Sequence, residues 1–346
     1  MGSFTKTLID DNINMWEFIN QSRVLPTSSN VSTRDAMQPY VWKDYLLIIL
    51  HVLVFIVGTI GNFMVWKYFS LKTESLSQVQ KWIIFLAGID FLICIADPIV
   101  YITEILAHGR ADFGGNFGCK MVAVTVVLQS LSFSIVMVIN IDRCIAILKP
   151  YRVKWNKFKT RLVLLLITVL SFISNLHLFI SLHVNEHGVC TAHAELLLFG
   201  IPNLLSYVLR DLFFLVIFCI TILAIRHELS NSGDQIASRE SRKRRMKENQ
   251  KVLKTLFIVS TAFIIFVYPR DLFQMIFQLS WIIDPSNPIR VNRFVFDINS
   301  FLKFIQSLNS VCNVFIYAKV HRRFRRIAAP MVNRKKNHTN NHVYLS

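Results

Sequence analysis

Charge is scarce in this sequence, and the scarcity decides its class. Of 346 residues only 17% are charged while 53% are hydrophobic, whereas a soluble protein carries about a quarter charged residues. No Lys or Arg occurs between His183 and Gly200, and no acidic residue between Lys120 and Ile141. Proline is missing from Leu204 to Ser230. No cysteine follows Cys312, so lipidation of a tail cysteine is not expected. A Gly-rich phosphate-binding loop is absent, and His177, His183, His187 and His193 stand in no metal-like arrangement with acidic partners, which argues against an enzyme. No internal repeat is visible, which counts against the inverted-repeat transporters.

What is abundant is long apolar stretches. A membrane-spanning helix needs about 20 apolar residues, and the mean hydropathy of +0.45 is carried by runs near 45–70, 82–106, 119–141, 162–182, 203–225, 252–280 and 294–318. One such run could be a buried core helix; seven in series predict an all-α membrane protein, a seven-transmembrane helix bundle. Arg210, Asp211, Asp297 and Lys303 interrupt the fifth and seventh runs.

The net charge of +17 orients the bundle rather than pointing to nucleic acid. Lys149, Arg152, Lys154, Lys157, Lys159 and Arg161 fill the link between runs three and four, and Arg242 to Arg245 with their neighbours fill the link between five and six. Arg322, Arg323, Arg325 and Arg326 follow run seven. Basic links stay in the cytoplasm, which places the N-terminus outside and the basic excess against anionic membrane lipid. Residues 1–44 then form an extracellular arm with two glycosylation sequons, at Asn20 and Asn30. Residues 45–319 form the membrane domain, and 320–346 a tail that opens with a short amphipathic cytoplasmic helix carrying Val320, Phe324 and Ile327. Residues 1–40 are polar and hold no cleavable leader, so the first run is expected to insert the chain. Cys119 and Cys190 are the two cysteines on the oxidising side, and a disulfide between them is favoured over two free thiols.

The motifs sit inside or at the ends of these runs. Run one holds Gly58-Thr59-Ile60-Gly61-Asn62, and run two Leu86-Ala87-Gly88-Ile89-Asp90. Run three ends Asp142-Arg143-Cys144 and is followed by Ala146-Ile147-Leu148-Lys149-Pro150. Run six holds Phe263 and Pro269, and run seven closes Asn309-Ser310-Val311-Cys312-Asn313-Val314-Phe315-Ile316-Tyr317. Over roughly residues 45–328 these motifs resemble the rhodopsin-like G-protein-coupled receptors. The likeness misses runs four and five. It also departs from the family at Val267, where a Trp is usual, at Val314, where a proline would kink the helix, and at Cys144, where a Tyr is usual.

The resemblance implies roles for single residues. Arg143 is held by Asp142 at rest and is freed on activation to meet a heterotrimeric G protein, with Asn313 and Tyr317 in the same switch; arrestin is a further implied partner. Asp90 with Ser132, Asn309, Ser310 and Asn313 forms a sodium pocket; the alternative is a hydrogen-bonded structural carboxylate with no ion. Small residues at Gly58 and Gly61 allow close helix packing, and Asn62 anchors it.

The ligand class is read from the outer half. Aligning from Arg143 puts Thr125 where amine receptors carry an Asp, which removes the usual counter-ion for a monoamine, and Ser307 stands where opsins carry the retinal lysine. Thr125 and Gln129 share a face of helix three, and Arg270 and Gln274 a face of helix six. With Arg210 and Lys303 they suggest a pocket for a peptide bearing a carboxylate or amidated end, most simply a neuropeptide. The other reading makes Arg210 and Arg270 structural ion pairs with acidic neighbours. Two alternatives stay open: a chemosensory receptor for small environmental molecules, and more distantly a transporter or channel using Asp90 and Asp142. No cofactor is expected.

Overall fold

The computed structural model describes residues 42–71, 78–106, 115–148, 156–184, 190–192, 200–231, 257–283 and 293–320. Helices α1 (Trp42–Ser70), α2 (Gln78–Leu106) and α3 (Gly115–Leu148) come first, then α4 (Lys157–Ser174) and α5 (Leu176–Ser181). Strands β1 (Leu182–Val184) and β2 (Cys190–Ala192) follow, then α6 (Ile201–Asn231), α7 (Phe257–Phe266), α8 (Tyr268–Ile283) and α9 (Arg293–Val320). The sodium-pocket and ion-pair positions fall within these helices. Asn20, Asn30, the basic link between runs five and six, and the amphipathic helix after Val320 lie outside the described residues.

Helix α1 shows how each element is oriented. Its buried residues, Asp44, Leu47, His51, Val54, Gly58, Asn62, Val65 and Phe69, recur every three or four positions and form one stripe. Leu46, Ile49, Leu53, Ile56 and Ile60 on the other side are exposed. An exposed apolar face of that extent fits lipid rather than water. The interior meanwhile holds Asp90, Asp97, Asn140, Asp271 and Asn313, each at most 1% exposed. An apolar outside around a polar inside is what the bilayer solvent demands of a multi-helix bundle.

Helices α1, α2, α3 and α6 are each long and apolar enough to cross a membrane, and α7 with α8 makes a fifth span when the pair is taken together. The fourth and seventh runs fall short of that measure among the described residues. Helix α4 carries Lys157, Lys159 and Arg161 in 18 residues, and α9 is lined with Asp297, Lys303, Gln306 and Asn309. The fourth run, expected as one helix over 162–182, is two. It begins at an Asn156 cap whose side chain accepts from the Lys159 amide at 2.7 Å, and it breaks at Asn175. There the Asn175 amide side chain donates to the Ser171 carbonyl at 2.8 Å and to Ser130 Oγ at 3.1 Å, tying the break to the third span.

The sixth span bends by 40° between α7 and α8. Pro269 has no amide hydrogen to give the carbonyl four residues earlier, so the ladder opens at Val267, which itself donates to Phe263 at 2.8 Å. The seventh span has no such break. With Val314 in place of a proline, α9 runs unbroken for 28 residues. The two glycines of α1 serve its packing: a Cβ on Gly58 would lie 2.4 Å from Cys94 Sγ, and one on Gly61 would lie 2.9 Å from Val314 Cγ1. Asn62 then donates to the Gly58 and Ser310 carbonyls, both at 3.1 Å, joining spans one and seven.

Among the described residues a short antiparallel strand pair lies at the Cys119 end of α3, a β element that an all-α expectation did not contain. β1 and β2 pair antiparallel, Val184 opposite Cys190. The Cys119–Cys190 disulfide, with Cα atoms 5.4 Å apart, fastens it to the start of α3. Lys120 Nζ donates to the carbonyls of Phe179 and Leu182, and Asn116 Oδ1 accepts from the Val184 amide at 2.9 Å.

Candidate functional site

Three polar layers are stacked through the apolar bundle. Towards the C-terminal end of α3 Arg143 Nη2 donates to Asp142 Oδ2 at 2.8 Å and its Nε at 3.2 Å, while Asp142 is 3% exposed. The pair is closed on itself, which offsets the cost of a carboxylate shielded from water. One turn deeper Asn140 Nδ2 donates to Ser260 Oγ at 3.3 Å, joining the third span to the sixth. Tyr317 lies on α9, but its side chain is outside the described residues.

The middle layer is centred on Asp90. Its Oδ1 accepts from Ser132 Oγ at 2.8 Å and from Ser310 Oγ at 3.1 Å, and its Oδ2 from Asn313 Nδ2 at 2.8 Å. Spans two, three and seven therefore meet on one carboxylate. Asn309 lines the small cavity next to it. The clustered oxygens are hard donors, which suits a sodium ion, and among the described residues no group of three His, Cys, Asp or Glu could hold a transition metal.

The outer layer is denser than the sequence suggested. Arg210 on α6 donates to Asp211 at 3.1 Å and also to Asp271 on α8, while its guanidinium lies 5.0 Å from the Tyr207 ring centroid and 5.8 Å from that of Phe133. Tyr268 OH donates to the Asp211 carbonyl at 2.7 Å. Arg270 donates to Gln306, and Lys303 donates to both oxygens of Glu104 at 2.8 and 2.9 Å. Gln274 donates to Asn299 at 3.0 Å, and Lys43 pairs with Asp297 at 2.9 Å near the surface. Of the two arginines read as candidate structural ion pairs, Arg210 sits on carboxylates while Arg270 is held by the amide oxygen of Gln306; Lys303 is paired with Glu104.

Gln129 donates to Asp97 Oδ2 at 2.7 Å, and Ser307 approaches the same oxygen at 3.5 Å. Thr125, by contrast, is 1% exposed and donates to the carbonyl of Val122 at 2.8 Å. It does not line the cavity, because its hydroxyl is satisfied within its own helix. The cavity has room of about 20 Å³ and is bounded by Asp97, Gln129, Ser132, Phe133, Arg210 and Gln306 among others. That is enough for about one water-sized group. Beneath it Phe133, Phe214 and Phe263 from spans three, five and six form a triangle with ring centroids 4.7–5.3 Å apart.

Against known proteins, residues 61–317 match the family described as 7 transmembrane receptor (rhodopsin family), which is most of the chain. The chain belongs to that family. Seven spans, a receptor rather than an enzyme, and a multi-pass membrane protein follow from membership. Among its relatives, the human C5a anaphylatoxin chemotactic receptor 1 is 31% identical over 109 residues, which spans 31% of this chain and 30% of that receptor. The match to those relatives thus covers less than a third of their length. The rat C5a anaphylatoxin chemotactic receptor 1 is 26% identical over 310 residues, covering 82% of this chain and 79% of the receptor. The rabbit growth hormone secretagogue receptor type 1 is 25% identical over 291 residues, covering 79% and 77%.

Two residues central to the outer layer carried no weight in the sequence reading, Asp97 and Asp271. Each is 0% exposed. A sign of the first was present: Asp90, Asp97 and Glu104 recur every seven residues, two helical turns, which puts three carboxylates on one face of the second span.

Proposed function

We propose that this rhodopsin-family receptor lies in the plasma membrane with its N-terminus outside, binds an extracellular peptide and activates a heterotrimeric G protein. The observation that carries the coupling half is the closed Asp142–Arg143 pair at the cytoplasmic end of the third span. An ion pair between neighbouring residues there is a restraint that a conformational change can undo, which is how a two-state bundle is biased. Asp142, Arg143, Asn313 and Tyr317 form the output end, and arrestin would meet the same face.

The peptide half is supported by the polar outer layer, where Gln129, Arg210, Arg270, Gln274 and Lys303 are engaged with one another's neighbours in bonds that a peptide would exchange for its own, and by relatives named for C5a anaphylatoxin and for growth hormone secretagogues. The disulfide-fastened hairpin would rim the entrance. Asp90, Ser132, Asn309, Ser310 and Asn313 would hold a sodium ion that favours the resting arrangement; the ion supplies a positive charge that Asp90 otherwise lacks. Asn20 and Asn30 would carry glycans on the outer arm.

The test is guanine-nucleotide exchange in membranes bearing an Arg143→Ala receptor co-expressed with a promiscuous G protein. Exchange should vanish while surface expression persists; undiminished exchange would sink the coupling role.

A further inference from the structure

We infer that Glu104 is an internal stand-in for an anionic group of the ligand, and that Lys303 receives a ligand carboxylate once Glu104 has let go. The proposal rests on the receptor reading above and narrows it, from a polar outer layer to one cation and the charge it takes.

Lys303 Nζ on α9 donates to both carboxylate oxygens of Glu104 on α2, at 2.8 and 2.9 Å. The two partners are not equally committed. The Lys303 side chain is 8% exposed and that of Glu104 is 19% exposed. The ammonium also lies 5.0 Å from the ring centroid of Tyr101, a further hold on the cation. The first span closes the wall with His51, whose ring packs against those of Tyr101 and Phe304 at 5.3 and 5.9 Å. Water therefore reaches the anion more readily than the cation. When the pair opens, Glu104 is hydrated in place, whereas a buried ammonium must be given another anion.

Position along α2 points the same way. Glu104 stands in the last turn of that helix, which ends at Leu106. The C-terminal end of a helix carries partial negative charge, so it favours a cation and disfavours a carboxylate. The end of α2 thus supports Lys303 and works against the residue that pairs with it. Asp97, the next acid inward on the same face, also acts on Lys303, but Arg270 answers it more strongly. A carboxylate is therefore what the site lacks when Glu104 leaves. Arg210 differs, because its partners Asp211 and Asp271 are 5% and 0% exposed and neither has water to go to.

Two arms test this. In the first, the full-length purified Glu104→Ala receptor is heated in sodium acetate, in sodium chloride at equal ionic strength, and in that chloride with acetamide. The substitution removes a CH2–COO− unit, and acetate is the ion that refills it. The unfolding midpoint should fall in chloride and rise in acetate, since a ligand bound by the native state alone stabilises it. Acetamide should have no effect. Wild type, and Glu104→Ala combined with Lys303→Met, should not distinguish acetate from chloride. A Glu104→Ala receptor as stable as wild type in chloride, or one that acetate does not raise, overturns the proposal. An acetate shift of equal size in all three receptors does the same. A variant recovered in acetate but not in chloride supports it, and if it is lost in both salts Glu104→Gln in the second arm decides.

In the second arm, hexapeptide pools with a free C-terminal carboxylate, or with Asp or Glu at one position, are compared with amidated pools carrying Asn or Gln there. Nucleotide exchange in receptor membranes is the readout. Acid-bearing pools should be the active ones. Glu104→Gln removes the competing charge and should raise their potency about tenfold or more, while Lys303→Met should abolish the response. Activity confined to amidated neutral pools, or acid pools indifferent to Glu104→Gln, overturns the stand-in role. Silence from every pool with acetate rescue retained removes the peptide reading and leaves the carboxylate site standing.

Discussion

Arg210 on α6 is joined to Asp271 on α8 two residues beyond Pro269, so an ion pair clamps the outer half of the bent sixth span to the fifth. Asp211 shares the same guanidinium at 3.1 Å, and the Tyr268 hydroxyl closes the group from below. Val267, where a Trp is usual, is buried one helical turn before Asp271.

Because Arg210 serves two carboxylates, the two ends of the clamp should not be equivalent. Arg210→Met leaves Asp211 and Asp271 buried without the guanidinium they share and should cost about 3–5 kcal/mol of stability. Asp271→Asn leaves Arg210 with Asp211 and should cost less. The double variant Arg210→Met, Asp271→Leu should recover part of the loss. Thermal unfolding midpoints of the purified receptors give the ordering, and equal losses for the two single changes would refute the shared-cation geometry.

Gly61 and Val314 should be coupled. Gly61→Ala places a Cβ 2.9 Å from Val314 Cγ1, which forces spans one and seven apart and should cost about 1–3 kcal/mol. Val314→Ala opens that space, so the double change should be milder than the sum of the two. A double-mutant cycle on thermal stability returns the coupling, and strict additivity would show that the contact has no energetic consequence.

Sodium should matter through Asp90. Replacing sodium by choline should lower the unfolding midpoint of the wild-type receptor and should leave Asp90→Asn unmoved, with Ser132→Ala between them. Equal sodium sensitivity in all three would favour the structural-carboxylate alternative.

Releasing Arg143 without removing it should have the opposite effect to deleting it. Asp142→Asn keeps the shape of the partner but removes its charge, so ligand-free nucleotide exchange should rise severalfold above wild type. Basal exchange at or below the wild-type level would contradict a resting restraint.

The apolar runs were legible as spans because a bilayer imposes one length and one hydropathy on every crossing. Their interruptions were less so. Nothing local marks Asn175 as a break, since its cause is a hydrogen bond to Ser130 on another span. The Asp90 cluster was reachable because each member occupies a recognisable motif. Asp97 and Asp271 occupy none, and their meaning depends on which cations remain after Glu104 and Asp211 take their partners. That allocation is a property of the packed bundle. Single runs read one at a time cannot disclose it, although the seven-residue spacing of Asp90, Asp97 and Glu104 could have shown that the second span carries an acidic face.

The unbroken seventh span has a mechanical consequence. Twenty-eight residues of uninterrupted α-helix make a rod of about 42 Å. Lys303, gripped by Glu104, sits in its outer half, and Asn313 sits in its inner half. With no proline joint between them, a push at the outer grip cannot be absorbed as local flexing. It arrives at the inner half as a displacement of the whole shaft, and Asp90 is the bearing against which that shaft must slide or turn.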